Sequence, residues 1–322
     1  DLIVSTINSQ DTDKRFVPKY NMYAFTAYNT LTVGNFSWFV EGSIKTDESI
    51  VKNNYLQDKN GNVVFTTLGY ATKGIAVNLT GKRTENYVMR TSPNEILNRG
   101  MLNWQPIVAR LRPQRLMARY TPASQDISEM AAGADVLIAP NDNLNITLTG
   151  TYINTLDNKT LYREAYAEAE YRGFKDWILQ AGCQYMVYNQ EIYQSKVAVP
   201  LINSIIPFFE VTKRLSKKMS IRTEWEYQDT KQDFGSWVFG LVELNIAPKW
   251  SFALSDMYNI KPGPNSSAGA QHYYNVFTAF TKSPHRFTLS YVKQVEGINC
   301  TGGVCRYEPA FSGVKFGCTS QF

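Results

Sequence analysis

Two histidines and four cysteines in 322 residues leave little with which to build acid–base catalysis or a zinc site. Long apolar runs are also missing. The greasiest stretch, residues 198–211, is broken by Pro200, Asn203, Ser204 and Pro207. It falls short of the roughly 18–20 apolar residues that a membrane helix needs, so helical spans are excluded. No continuous basic block exists: 33 Lys and Arg are interspersed with 28 Asp and Glu, for a net charge of +5. Tracking a phosphate backbone needs more than that, so no nucleic-acid partner is expected. The opening residues, Asp1-Leu2-Ile3-Val4, carry no basic n-region of a signal peptide. For an exported protein, the start is then expected to have been removed or to lie outside this sequence.

Aromatic residues, by contrast, are abundant: 20 Tyr, 17 Phe and 6 Trp. Amphipathic rings of this kind favour a membrane interface. The dominant pattern is period-two alternation in segments of about ten residues, the length of a tilted transmembrane strand. Leu144, Ile146, Leu148 and Tyr152 alternate with Asn145, Thr147, Thr149 and Thr151. Trp177, Leu179, Ala181, Cys183, Tyr185 and Val187 share a face opposed to Gln180 and Gln184, and Ile221, Thr223, Trp225 and Tyr227 oppose Arg222, Glu224, Glu226 and Gln228. A β-sandwich would alternate too, so connection lengths are needed to decide. Short connections centre on Gly34-Asn35, Lys73-Gly74, Asn141-Asp142, Gly173-Phe174, Ser216-Lys217, Pro248-Lys249 and Ser283-Pro284. Between them fall longer ones at 47–62, 86–128, 157–159, 189–199, 229–235, 261–271 and 297–308. Short periplasmic turns alternating with longer outer loops are the habit of outer-membrane barrels. The final strand, with Val314, Phe316, Cys318, Ser320 and Phe322 on one face, ends the sequence on an aromatic. These features predict an all-β, closed, antiparallel transmembrane barrel of the outer-membrane type, with residues 1–322 as one domain supplying fifteen or sixteen strands. Placing the C-terminus in the periplasm leaves the strand count uneven, so further strands are expected upstream. Residues 86–128 are expected to be a long loop or a plug-like insertion.

The stretches Gly74-Ile75-Ala76-Val77-Asn78-Leu79, residues 237–242, Asp256-Met257-Tyr258-Asn259, His272-Tyr273-Tyr274-Asn275-Val276, Gly302-Gly303-Val304-Cys305-Arg306 and residues 309–322 resemble an uncharacterised family of Bacteroidota outer-membrane barrel proteins. The resemblance is strongest over the last hundred residues or so and continues back toward the N-terminus. It implies a fold and an address, with this chain as the C-terminal part of a longer protein, and no established chemistry.

Several residue groups invite a functional reading. Arg110, Arg112, Arg115 and Arg119 make the most basic stretch and fall inside the 86–128 connection. Folded into a lumen they would form a constriction attractive to anions; exposed above a membrane they would bind lipopolysaccharide phosphates or a neighbour. Glu164, Glu168, Glu170, Arg222, Glu224 and Glu226 belong to faces expected to point inward. Apposed Arg and Glu would either set up a transverse field or pair to fill a closed lumen. Cys300 and Cys305, in Cys-Thr-Gly-Gly-Val-Cys, are spaced for a small disulfide loop in an oxidising compartment, with free thiols or a metal pair lacking further ligands as the alternatives. Trp38, Trp237, Trp250, Tyr258 and Phe322 are expected to be membrane-interface aromatics. His272 and Asp256 fall on neighbouring strands but not directly opposite, and no catalytic set, metal site or cofactor is expected.

These readings lead to a non-enzymatic protein of a Gram-negative outer membrane, in contact with its lipids and lipopolysaccharide. The first expectation is a structural or partner subunit of an outer-membrane assembly, alongside other barrels or lipoproteins. The second is a porin-like passive channel for small solutes with an Arg- and Glu-lined lumen.

Overall fold

The computed structural model describes residues 22–52, 55–89, 102–103, 108–122, 127–266, 269–295, 297–301 and 304–320. Strands dominate: β1 (Ala24–Val33), β2 (Phe36–Lys52), β3 (Tyr55–Thr72), β4 (Ile75–Glu85), β5 (Val88–Met89), β6 (Leu102–Asn103), β7 (Glu129–Asn141), β8 (Leu144–Thr155), β9 (Thr160–Tyr171) and β10 (Trp177–Tyr188). They continue with β11 (Ile202–Ser216), β12 (Met219–Gln228), β13 (Gly235–Ile246), β14 (Trp250–Pro262), β15 (His272–Lys282), β16 (His285–Gln294), β17 (Gly297–Thr301), β18 (Val304–Glu308) and β19 (Phe311–Ser320). Helical structure among the described residues is confined to a 3-10 turn, Met117–Tyr120, and a single turn, α1 (Gln190–Tyr193). No described helix is long and apolar enough to cross a membrane. Fifteen strands follow one another in the main sheet, and β5-β6 and β17-β18 form separate hairpins.

The chain divides into two compact units. The first comprises residues 1–108, 122–134 and 151–161, and its strands β1 to β4 pair antiparallel in chain order. Its turns need residues that tolerate a left-handed backbone, and Gly34 (φ 57) and Gly74 (φ 79) provide them. On the inward face Lys82 Nζ meets Glu129 Oε1 at 2.5 Å, with both side chains nearly sequestered from water. The segment at 47–62 departs from the expected loop. Pairing there continues from Glu48↔Lys59 to Lys52↔Tyr55, so β2 and β3 extend as one long hairpin. It had the look of a loop because Asp47, Glu48, Lys52, Asn53, Asn54, Asp58, Lys59 and Asn60 are crowded into it.

The second unit comprises residues 109–121, 135–150 and 162–322. Strands β9 to β16 and then β19 again pair antiparallel in chain order. The β17-β18 hairpin fills the connection before β19, and Cys300 pairs in register with Cys305. The side chains of these two cysteines, like Phe322, lie outside the described residues.

Burial alternates along the strands of this unit. In β11, Ile202, Ser204, Ile206 and Phe208 are buried while Asn203, Ile205, Pro207 and Phe209 are exposed. The exposed face is apolar: Val242, Leu254, Val276, Tyr291 and Val314 are successive cross-strand partners, and Val314 keeps 64% of its surface accessible. The buried face carries the charged residues. In the first unit, removing Lys82 strands the buried Glu129 carboxylate. Lys82→Met should therefore cost about 3–5 kcal/mol in equilibrium denaturant unfolding, and adding Glu129→Leu should recover most of it.

Candidate functional site: an arginine-rich segment against an inner sheet face

Residues 109–121, the arginine-rich part of the long connection, lie against the buried face of the second unit. Leu116 and Met117 pack into a cluster formed by Tyr166, Ile206, Phe208, Trp237, Phe239 and Met257. Six inward positions on four strands thus turn apolar where the segment crosses them, and polar positions surround them.

Polar contacts hold the segment along its length. Arg110 Nε donates to Asp135 at 2.7 Å. Arg112 Nε donates to Glu164 at 3.0 Å, and its guanidinium lies 3.6 Å from the centre of the Tyr166 ring. Gln184 Nε2 donates to the same Glu164 oxygen at 2.7 Å. The two oxygens of Glu226 then accept from the backbone N–H groups of Arg115 and Leu116, at 2.7 and 2.9 Å. Arg119 stands 4.3 Å from the Trp237 ring and directs Nη1 at Met257 Sδ, 3.7 Å away. Tyr120 closes the set by donating to Asp233 at 2.8 Å. Burial, reinforced by the Asp233 charge, pushes the Tyr120 phenol well above its ordinary pKa, so it remains a hydrogen-bond donor.

Glu164 and Glu226 bind the segment, and Glu226 also hydrogen-bonds Glu224. Below them Arg222 donates to Glu210 at 2.9 Å, pairs with Glu224, and lies 3.6 Å from Glu243. Glu168 accepts from Tyr166, and Glu170 pairs with Arg172 at 2.8 Å near the β9-β10 turn. The site therefore pairs its charges rather than displaying them. Asp135, Asp233, Glu210 and Glu243 were missed in the sequence, although parity marks two of them: Glu243 lies directly opposite Arg222 and Glu210 directly opposite Glu224.

The aromatic residues do not all behave as expected. Trp250 and Trp38 are outward and partly exposed, and Trp38 donates to Thr66 at 2.9 Å. Tyr258 is half-buried and stacks on His272 with ring centres 4.3 Å apart. Trp237 is a correction: it is 1% exposed, faces inward and supports the segment. It shares parity with Glu243, and that places it away from an interface girdle. His272 and Asp256 are diagonal neighbours on the outward face, joined at 2.7 Å. Among the described residues no group of three or more His, Cys, Asp or Glu is placed to hold a metal ion.

Glu226 is the decisive latch, because its loss takes the acceptor from the buried Leu116 N–H, at about 1–3 kcal/mol, and one acceptor from Arg115. Glu226→Ala should open the Arg115-Leu116 and Arg119-Tyr120 bonds to trypsin at least tenfold faster than in the parent, while Arg112 stays protected by the following Pro113. Equal cleavage rates would show that the carboxylate does not hold the segment.

Comparison with known proteins adds a family but no activity. Among curated protein sequences none is detectably similar. Similar solved structures include a triple mutant of the Rhodopseudomonas blastica porin, at 10% identity and TM-score 0.39, covering 84% of each chain. Pseudomonas aeruginosa OccK8 (OprE) is similar at 9% identity and TM-score 0.46, covering 84% of this chain and 88% of that one. Likenesses at these TM-scores do not bear on function. The model of a family of unknown function, DUF6029, matches residues 3–322, and the chain belongs to that family.

Proposed function

We propose that this protein is a non-enzymatic, porin-like transmembrane barrel of a Gram-negative outer membrane, with its C-terminus on the periplasmic side. It passes small solutes through a lumen that residues 109–121 constrict. The observation that carries this reading is the division of the strands into two opposed faces. Val242, Leu254, Val276, Tyr291 and Val314 run across five strands as an exposed apolar row, whereas Arg222, Glu224, Glu226 and Glu243 share the opposite face. In water such a row would be a costly patch; against hydrocarbon it is the natural wall of a strand-built span. A polar inner face is what a solute path requires.

A second reading, a partner subunit of an outer-membrane assembly, has one observation on its side. The outward face holds a hollow of about 750 Å³ lined by Val242, Leu254, Val276, Leu289 and Val314. The Asp256–His272 pair shares that face.

Conductance separates the two. The full-length protein in a planar bilayer should give discrete current steps, and Arg112→Gln should shift ion preference toward cations because the constricting segment loses a positive charge. Electrical silence, with stoichiometric co-purification of other membrane proteins, would favour the subunit.

A further inference from the structure

The buried face beneath the segment carries one row of residues whose hydrogen bonding is incomplete. Register places Tyr166, Gln184 and Ile206 side by side on β9, β10 and β11. It likewise joins Gln228, Trp237 and Asn259 on β12, β13 and β14. The bridge between Ile205 and Asp229 brings Ile206 beside Gln228, so the two halves are one row of six. Amides and rings or alkyl groups are interleaved along it.

Gln184, Gln228, Trp237 and Asn259 are each at most 1% exposed. Even so, Gln184 Oε1, Gln228 Oε1, Trp237 Nε1 and Asn259 Oδ1 find no partner among the described residues. Two groups on the overlying segment are in the same state, Arg112 Nη2 and Gln114 Oε1. The other end of each amide is engaged: Gln184 with Glu164 at 2.7 Å, Gln228 with Ser204 at 3.2 Å, Asn259 with the Phe234 carbonyl at 2.6 Å. Turning the Gln228 amide over only exchanges which end is left without a partner. Buried groups are normally satisfied, and a set of six along one contact is far from the usual pattern.

The unmatched groups also define what would match them. They include four acceptors and two donors, so the complement must both donate and accept. The nearby carboxylates are already engaged, Glu164 by Arg112 and both oxygens of Glu226 by N–H groups, so neither is open to an ion. Tyr166 and Trp237 offer ring faces, at present covered by the guanidinium groups of Arg112 and Arg119. A neutral molecule with many hydroxyls and a flat C–H face fits all three conditions.

We propose that the row Tyr166–Gln184–Ile206–Gln228–Trp237–Asn259 is a binding subsite for neutral oligosaccharides, and that residues 109–121 cover it as a competing lid. The proposal rests on the solute-channel reading and names the solute class. The segment seals the row with its apolar and charged contacts but leaves the amides unanswered. A sugar would answer them and take over the ring faces that the two arginines occupy.

Calorimetric titration of the full-length protein in detergent tests this, with maltohexaose, cellohexaose and laminarihexaose as probes. At least one sugar should bind, and Glu226→Ala, which releases the lid, should bind it several-fold more tightly. Gln228→Met should weaken binding tenfold or more with an unchanged circular dichroism spectrum, and Trp237→Phe should weaken it too. Failure of all three sugars to bind to Glu226→Ala at tens of millimolar would overturn the proposal, as would undiminished binding to Gln228→Met. Conductance without sugar binding would remove the subsite and leave the channel. Sugar binding without conductance would remove the channel and leave the subsite.

Discussion

A carboxylate removed from water needs hydrogen bonds or a counter-charge, and Glu226 has the first from an unusual source. Its two oxygens accept from consecutive backbone N–H groups, those of Arg115 and Leu116. The segment needs the carboxylate as much, since a non-repetitive stretch carries N–H groups that no strand or helix satisfies. The rest of the site follows from this mutual requirement. With the backbone fixed at 115–116, Leu116 and Met117 enter the cluster around Ile206 and Trp237. Arg112 and Arg119, three residues to either side, then reach Tyr166 and Trp237 respectively.

Charge pairing gives the buried face its character. An arginine-rich loop beside a glutamate-rich wall suggests a strong transverse field, yet the contacts consume most of it. Arg110 is matched to Asp135, Arg112 to Glu164, and Arg222 to a group of three carboxylates. Pairs of this kind add little net stability, because desolvation offsets most of the attraction. They do fix position, because a shift of a few ångströms would leave a charge unpaired. The segment is thereby held in one register, and its release would expose both signs of charge together with a band of amides.

Much of the fold was legible in the sequence because a strand has a period of two. Leu148 and Tyr152 against Thr149 and Thr151, or Trp225 against Glu224 and Glu226, show the two faces without further information. Turns at Gly34-Asn35, Lys73-Gly74 and Ser283-Pro284 are equally plain, since few residues suit them. Alternation failed where one face is not uniformly polar. Trp237 and Phe239 are inward and apolar, so they resemble lipid-facing residues, and only their parity with Glu243 reveals their side. The 47–62 ribbon was hidden for another reason: charged and amide residues outnumber Ile50, Val51, Tyr55 and Leu56 there. Contacts of the insertion are set by tertiary placement and not by spacing. Nothing in the sequence links Arg112 to Glu164 or Tyr120 to Asp233, which are 52 and 113 residues apart.

The central claim is that residues 109–121 are held on the inner face through the Glu226 latch. Amide hydrogen exchange of Arg115 and Leu116, in protein reconstituted into lipid bilayers, addresses it most directly. The account predicts that both amides exchange about 100-fold or more slowly than in an unstructured chain, as expected for buried, hydrogen-bonded groups that open only locally. Exchange of both at the unstructured rate would mean that the segment is not docked, and the latch with all that rests on it would be wrong.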